Sequence, residues 1–173
     1  DEVTLDLPLK IVDQAIAGEG ATYTPPCGAP VMRRMKDEFK RSSRKAGGAF
    51  YDYDEKSKRL WPGLAEAFPR AAQQPSAEEV GKRLLYVQAL ETARCLEEGV
   101  LTHAGDGDLG AVLGWGFPAW TGGTLSFIDT VGVGAFVAEC DRLAQAHGPR
   151  FTPPAQLRAM AAVNERFHPA CAA

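Results

Sequence analysis

Three histidines and a scatter of carboxylates are the side chains of this chain that could move a proton or hold a cation. His103 follows a long helical pattern, and His147 falls at a helix C-terminus, where the helix dipole favours a cation. With His168 they read as structural or solvent-facing groups. Asp106, Asp108 and the Glu97-Glu98 pair could surround a cation, yet no EF-hand spacing or converging ligand set accompanies them. Helix capping by Asp106 or Asp108 is the better reading, and no metal site is expected. Glu91 falls on an apolar stripe running through Leu84 and Val87. A carboxylate there is costly unless paired, so a buried structural pair with Arg83, Arg94 or a helix N-terminus is expected, ahead of catalysis. Trp115, Phe117, Trp120 and Phe127 could line an acyl pocket; core packing or an interface is the stronger expectation.

Composition narrows the classes. The net charge of −3 argues against nucleic-acid binding by counterion release. Lys and Arg cluster at Arg33-Arg34, Lys36, Lys40-Arg41 and Arg44-Lys45, but Asp37 and Glu38 interrupt them, which suits a solvated helix face. Cys27, Cys95, Cys140 and Cys171 lie far apart with no C-x-x-C pair, so reduced thiols in a cytoplasmic protein are expected. No signal peptide or run of about 18 apolar residues occurs, so no membrane span is expected. The chain opens on Asp1 and reads as a piece of a longer protein.

These side chains need elements to position them. Leu5, Leu9, Val12 and Ile16 have helical spacing, stopped by Gly18 and Gly20. A second helix starts near Pro30 and turns Val31, Met35 and Phe39 to one side. Tyr51 and Tyr53 mark an extended stretch or hairpin arm, Trp61-Pro62 a short helical turn, and 71–75 a linker. Ser76 and Glu79 form a capping box that starts a long helix ending at Gly99. Its broad apolar face is read as Val80, Leu84, Val87 together with Leu85, Ala89, Ala93 and Leu96, so Leu84→Ala is expected to cost roughly 2–5 kcal/mol. Leu109, Val112 and Leu113 open the next helix and Leu125, Ile128 and Val131 another. Phe136, Val137, Cys140, Leu143 and Ala144 mark a further one, and 153–167 supplies the last with Leu157, Met160, Ala161 and Asn164. The sum is all-α with a short extended arm.

The densest pattern runs from Asp106 to Gly132. Four glycines, Gly114, Gly116, Gly122 and Gly123, stand among large apolar residues, with Pro118 in the middle. An ordinary helix would not hold so many glycines at about 1 kcal/mol each, so two short helices joined by a buried, tightly shaped turn are expected. A weak internal echo accompanies it: Asp1-Glu-Val-Thr-Leu5 and Asp129-Thr-Val-Gly-Val133 share D-x-V-x-[LV], each leading into a helix.

With Asp108, Gly114, Gly116, Phe117, Pro118, Gly122, Gly123, Asp129 and Gly132, this segment resembles the G-x-G-[FY]-P…G-P…D-x-x-G signature of the C-terminal helical domain of 3-hydroxyacyl-CoA dehydrogenases. The closest likeness is to the second helical copy of the multifunctional fatty-acid oxidation enzymes. Lys45 to Tyr53 looks like the family's K-x-G-x-G-F-Y-x-Y arm, with Ala49 in place of its second glycine. Glu91 to Gly99 resembles E-A-x-R-x-L-x-E-G, and Arg150-Phe-Thr-Pro153 with Leu157 resembles the closing segment. The resemblance implies a helical bundle of the 6-phosphogluconate-dehydrogenase C-terminal-like type. It divides the chain into 1–41, the tail of a first helical copy, 42–75, a connecting arm and linker, and 76–173, the second copy. It further implies an NAD-dependent (3S)-3-hydroxyacyl-CoA dehydrogenase of β-oxidation as the parent. The NAD domain and first copy would be this segment's partners, the substrate an acyl-CoA, and a thiolase subunit a possible associate.

The nucleotide fingerprint G-x-G-x-x-G and any βαβ pattern are missing. The place of the family's supporting Asn holds Lys82, beside Arg83, and Lys cannot supply an amide's paired donor and acceptor. No catalytic, cofactor-binding or metal-binding residue is therefore expected in this chain. Arg83, Glu91, Trp115, Phe117, Pro118, Gly122, Gly123 and Asp129 are expected to be structural or interface residues of a non-catalytic scaffold. The alternative is an acyl-CoA-binding module, built on the basic 30–45 helix and the aromatic turn, or a module that homodimerises through 109–131.

Overall fold

The computed structural model describes residues 1–169. Cys171, one of the four cysteines, lies outside them. The chain is all-α in class: eight α-helices, four short 3-10 turns and one two-stranded sheet make up the regular structure of the described residues. It divides into two compact units between Gln74 and Pro75.

In the first unit, α1 (Asp6–Glu19) and α2 (Ala29–Asp37) are followed by a hairpin of β1 (Tyr51–Tyr53) and β2 (Lys58–Leu60), then by the single-turn α3 (Leu64–Ala67). The strands are antiparallel, with Tyr51 opposite Leu60 and Tyr53 opposite Lys58. Leu9 and Val12 of α1 are buried as their spacing requires, whereas Ile16 is half exposed. Leu5, Met35 and Ala49 form the small core, covered by Phe39, Trp61 and Phe68. Arg41 binds the arm to α2: it donates to the carbonyls of Ala49 (2.8 Å) and Tyr51 (3.0 Å) and to Asp52 (2.6 Å), and its guanidinium lies over Trp61. At the arm's glycine pair the left-handed backbone falls on Gly47 and Gly48, and Ala49 needs no positive φ.

The second unit contains α4 (Ala77–Glu97), α5 (Ala104–Trp115), α6 (Thr124–Val131), α7 (Val133–His147) and α8 (Ala155–Val163). Ser76 caps α4 by accepting from the Glu79 amide at 3.1 Å. Its core joins Tyr86, Ala89, Leu90 and Ala93 of α4 to Leu125, Ile128, Phe136, Cys140, Leu143 and Leu157. The Tyr86 and Phe136 rings stack at 4.3 Å, and Phe127 meets both edge-on. Burial pushes the Tyr86 phenol and the Cys140 thiol each up to about 12, so neither ionises at neutral pH.

The buried face of α4 differs from the one its aliphatic residues suggest. The stripe that enters the core is Tyr86, Ala89, Leu90 and Ala93, at offsets of three, four and seven. Leu84 lies on another side and is 58% exposed; Val80 is exposed as well. The aliphatic count misled because Tyr86 carries the larger apolar surface and sets the rotation of the helix. A buried Leu truncation costs about 2–5 kcal/mol, so that loss is expected at Leu90, which is wholly buried. Leu84→Ala is expected to shift stability by less than about 0.5 kcal/mol. Urea unfolding of both variants measures the difference, and equal losses would place the face wrongly.

Candidate functional site

The glycine–aromatic segment folds as α5, a bend with a 3-10 turn at Ala119–Thr121, and α6. Trp115 ends α5, and Gly116 terminates it with φ 77°. Phe117 turns back into the core, its amide donating to the Ala111 carbonyl at 3.0 Å. Pro118, half-buried, begins the 3-10 turn, and its carbonyl accepts from the Thr121 hydroxyl at 2.7 Å. Gly122 closes that turn with a left-handed backbone.

Asp108 holds the bend in place. Its carboxylate, nearly excluded from solvent, accepts from the Leu125 amide (2.6 Å), the Ser126 amide (3.1 Å) and the Ser126 hydroxyl (2.6 Å). These amides belong to the first turn of α6, whose positive dipole end a carboxylate satisfies. Asp108 thus caps a helix other than its own. Gly123 makes this possible: at φ 125° an added Cβ would come within 2.5 Å of three Asp108 atoms. His168 places Nε2 2.8 Å from the same carboxylate.

Asp129 does comparable work on the C-terminal segment, accepting from the amides of Phe167 (3.0 Å) and His168 (2.8 Å). Asp1 accepts from the amides of Ala49, Phe50 and Tyr51. The two aspartates of the internal echo therefore have the same role, each accepting from backbone amides of a segment downstream. Thr4 and Gly132, three residues after them, both have positive φ, 69° and 91°. A threonine in that region carries strain that the glycine avoids.

Lys82 and Arg83 are taken up in a charge network between α4 and α7. Lys82 Nζ is 3.1 Å from Glu139, and Arg83 is 3.1 Å from Glu79. Arg142 bridges both carboxylates, at 2.7 Å to Glu139 and 3.0 Å to Glu79. His147 Nε2 stands 3.7 Å from Glu79. The Arg142 hydrogen bond, aided by Lys82, holds the Glu139 carboxyl down at about 2.

Glu91 is the clearest departure. It is not on the buried face: its side chain is 67% exposed and pairs at 2.8 Å with Arg94, one of its expected partners. It shares the solvent side of α4 with Leu84, seven residues earlier, so the same rotation exposes both. The aromatic group is split too. Phe117 is buried and Phe127 partly so, whereas Trp115 and Trp120 are exposed, Trp120 by 81%. The bend is therefore buried only on its Phe117 and Asp108 side. Trp115 donates from Nε1 to Gln88 at 2.9 Å.

Spacing alone concealed the Asp108–His168 contact, which joins residues 60 apart. A capping aspartate was legible, but the helix it serves was not. The basic cluster of the first unit is largely paired: Arg33 with Asp13, Lys36 with Asp6, Arg41 with Asp52 and Arg44 with Glu2. No group of three or more His, Cys, Asp or Glu side chains able to hold a metal occurs among the described residues, and no helix among them is long and apolar enough to cross a membrane. The chain matches no model of a known protein family.

Two outcomes follow. Asp108→Ala leaves two amides of α6 without their acceptor and is expected to destabilise the second unit by about 2 kcal/mol or more; thermal unfolding measures it, and a change near zero would deny the cap its role. A carboxyl depressed in the folded state stabilises above its unfolded value, here 4.5, and that contribution disappears as pH falls through about 2. Glu139→Gln is therefore expected to cost on the order of 1 kcal/mol at pH 7 and to weaken the acid dependence of stability between these values. An unchanged acid titration would contradict the network.

Proposed function

We propose that this chain is the C-terminal helical part of an NAD-dependent (3S)-3-hydroxyacyl-CoA dehydrogenase of β-oxidation, in which it is a structural scaffold and performs no chemistry. Its fold would be the 6-phosphogluconate-dehydrogenase C-terminal-like bundle. Residues 1–41 would close a first helical copy, 42–75 would connect, and the segment from residue 76 would be the second copy. The Asp1 and Asp129 fasteners, each followed by a positive-φ residue and a helix, support this duplication.

The observation that carries the scaffold reading is the fate of Lys82 and Arg83. Where the family's catalytic copy presents an Asn amide beside an Arg, these two cations are bound by Glu139 and Glu79. Both cations are engaged by carboxylates within the chain, which supports a structural role for them. Asp108 and Asp129 bind backbone amides, and the regular strands of the described residues are a two-stranded antiparallel hairpin. Leu109, Leu113, Trp115 and Trp120 turn outward on the bend, and such a face suits packing against the first helical copy in a pseudo-dimer. The hydride acceptor NAD, the reacting acyl-CoA and the general base would lie in the rest of a cytoplasmic parent enzyme.

The test has two arms. The purified chain, given NAD or NADH with a 3-hydroxyacyl-CoA or acetoacetyl-CoA, is expected to show no turnover, while the intact polypeptide that contains it is expected to be active. In that polypeptide Leu113→Asp is expected to lower thermal stability and activity together. Turnover by the chain alone would overturn the scaffold reading, and an intact polypeptide without dehydrogenase activity would overturn the class.

A further inference from the structure

The residues after α8 form a strap. Asn164 ends the helix with a left-handed backbone, φ 53°. Beyond it, Asp129 takes the Phe167 amide on Oδ1 and the His168 amide on Oδ2. Phe167 packs against the core of the second unit and lines a cavity of about 670 Å³ with Leu96, Met160 and Val163. The His168 ring then reaches back to Asp108.

The first unit repeats this clasp with one difference. Asp1 takes the Phe50 amide on Oδ1 and the Tyr51 amide on Oδ2. The likeness extends to the sequence between: Tyr23-Thr-Pro-Pro26 follows α1 as Phe151-Thr-Pro-Pro154 follows α7. Tyr51 therefore stands in the place of His168. Of these two side-chain types, histidine is the one that changes charge between about pH 5 and 8.

The surroundings of the ring make that charge count. The Asp108 side chain is 7% exposed and that of His168 37%, so the carboxylate is shielded while the imidazole exchanges protons with solvent. Few charges face the ring. Asp108 comes from α5 and Asp129 from α6, and the strap itself carries Glu165 and Arg166, the latter 3.9 Å from Asp129. Ser126, which donates its hydroxyl to Asp108, and uncharged residues line the rest of the cavity beside the ring. His103 shares the cavity of Phe167. Among the described residues, His168 is the one side chain that forms an ion pair with Asp108 when charged. A charge-assisted hydrogen bond is about twice as strong as a neutral one, and shielding from water strengthens it further.

We propose that residues 164–168 are a strap whose fastening is set by pH: protonated His168 holds it on Asp108, and loss of that proton lets it swing about Asn164 and uncover the seat of Phe167. Because the proton strengthens the contact, the fastening is complete on the acid side of neutrality and weakens as pH rises. This device does not depend on the dehydrogenase reading.

The test is amide hydrogen exchange on the whole chain at about pH 5.5 and about pH 8.5, corrected for the intrinsic pH dependence of exchange. Protection at Phe167 and His168 is expected to fall by roughly fivefold to tenfold at the higher pH. Protection at Phe50 and Tyr51, in the clasp without a histidine, is expected to stay constant. His168→Gln keeps a side-chain donor but no titrating ring, and its strap is expected to show the lower protection at both pH values. His103→Gln is expected to retain the wild-type response. Strap protection independent of pH in the wild type, an equal change at Phe50 and Tyr51, a pH response that survives His168→Gln, or one abolished by His103→Gln would each overturn the proposal.

Discussion

Asp108 places a carboxylate, shielded from water, against the first amides of a helix 17 residues downstream. Burying that charge is costly without full compensation, and the compensation fixes much around it. Two amides and a hydroxyl of α6 must point at Asp108, and Gly123 must be bare where the two segments meet. The contact continues outward. Asp129, near the end of α6, binds the amides of Phe167 and His168, and the His168 ring returns to Asp108. The resulting circuit joins α5, α6 and the segment after α8. Its side chains are occupied by backbone amides and by one another.

The helices were largely readable from the order of the residues because their determinants are local. Ser76 and Glu79 set the start of α4, positive-φ glycines close several segments, and the apolar spacing of α7 places Phe136, Cys140 and Leu143 in the core. What failed was rotation. Counting aliphatic residues put Leu84 and Glu91 inside, whereas the stacking of Tyr86 on Phe136 turns both outward. Trp115 and Trp120, read as core or interface residues, are exposed, while Phe117 and Phe127 pack inward. The Asp108–His168 contact was beyond reach, since it depends on how three segments come together.

The second unit has two contrasting sides. Between α4 and α7, Lys82, Arg83 and Arg142 are committed to Glu79 and Glu139. Around α5 and the bend, apolar side chains and glycines face outward with few charges. One side is thus closed by ion pairs and the other presents exposed apolar side chains.

Amide hydrogen exchange on an Asp108→Asn variant tests the organising role of this carboxylate most directly, because the substitution keeps the shape and removes the charge. Protection is expected to fall together at Leu125, Ser126, Phe167 and His168, while Leu9 and Val12 of the first unit keep theirs. Unaltered protection at those four amides would show that apolar packing, and not the buried carboxylate, holds the bend.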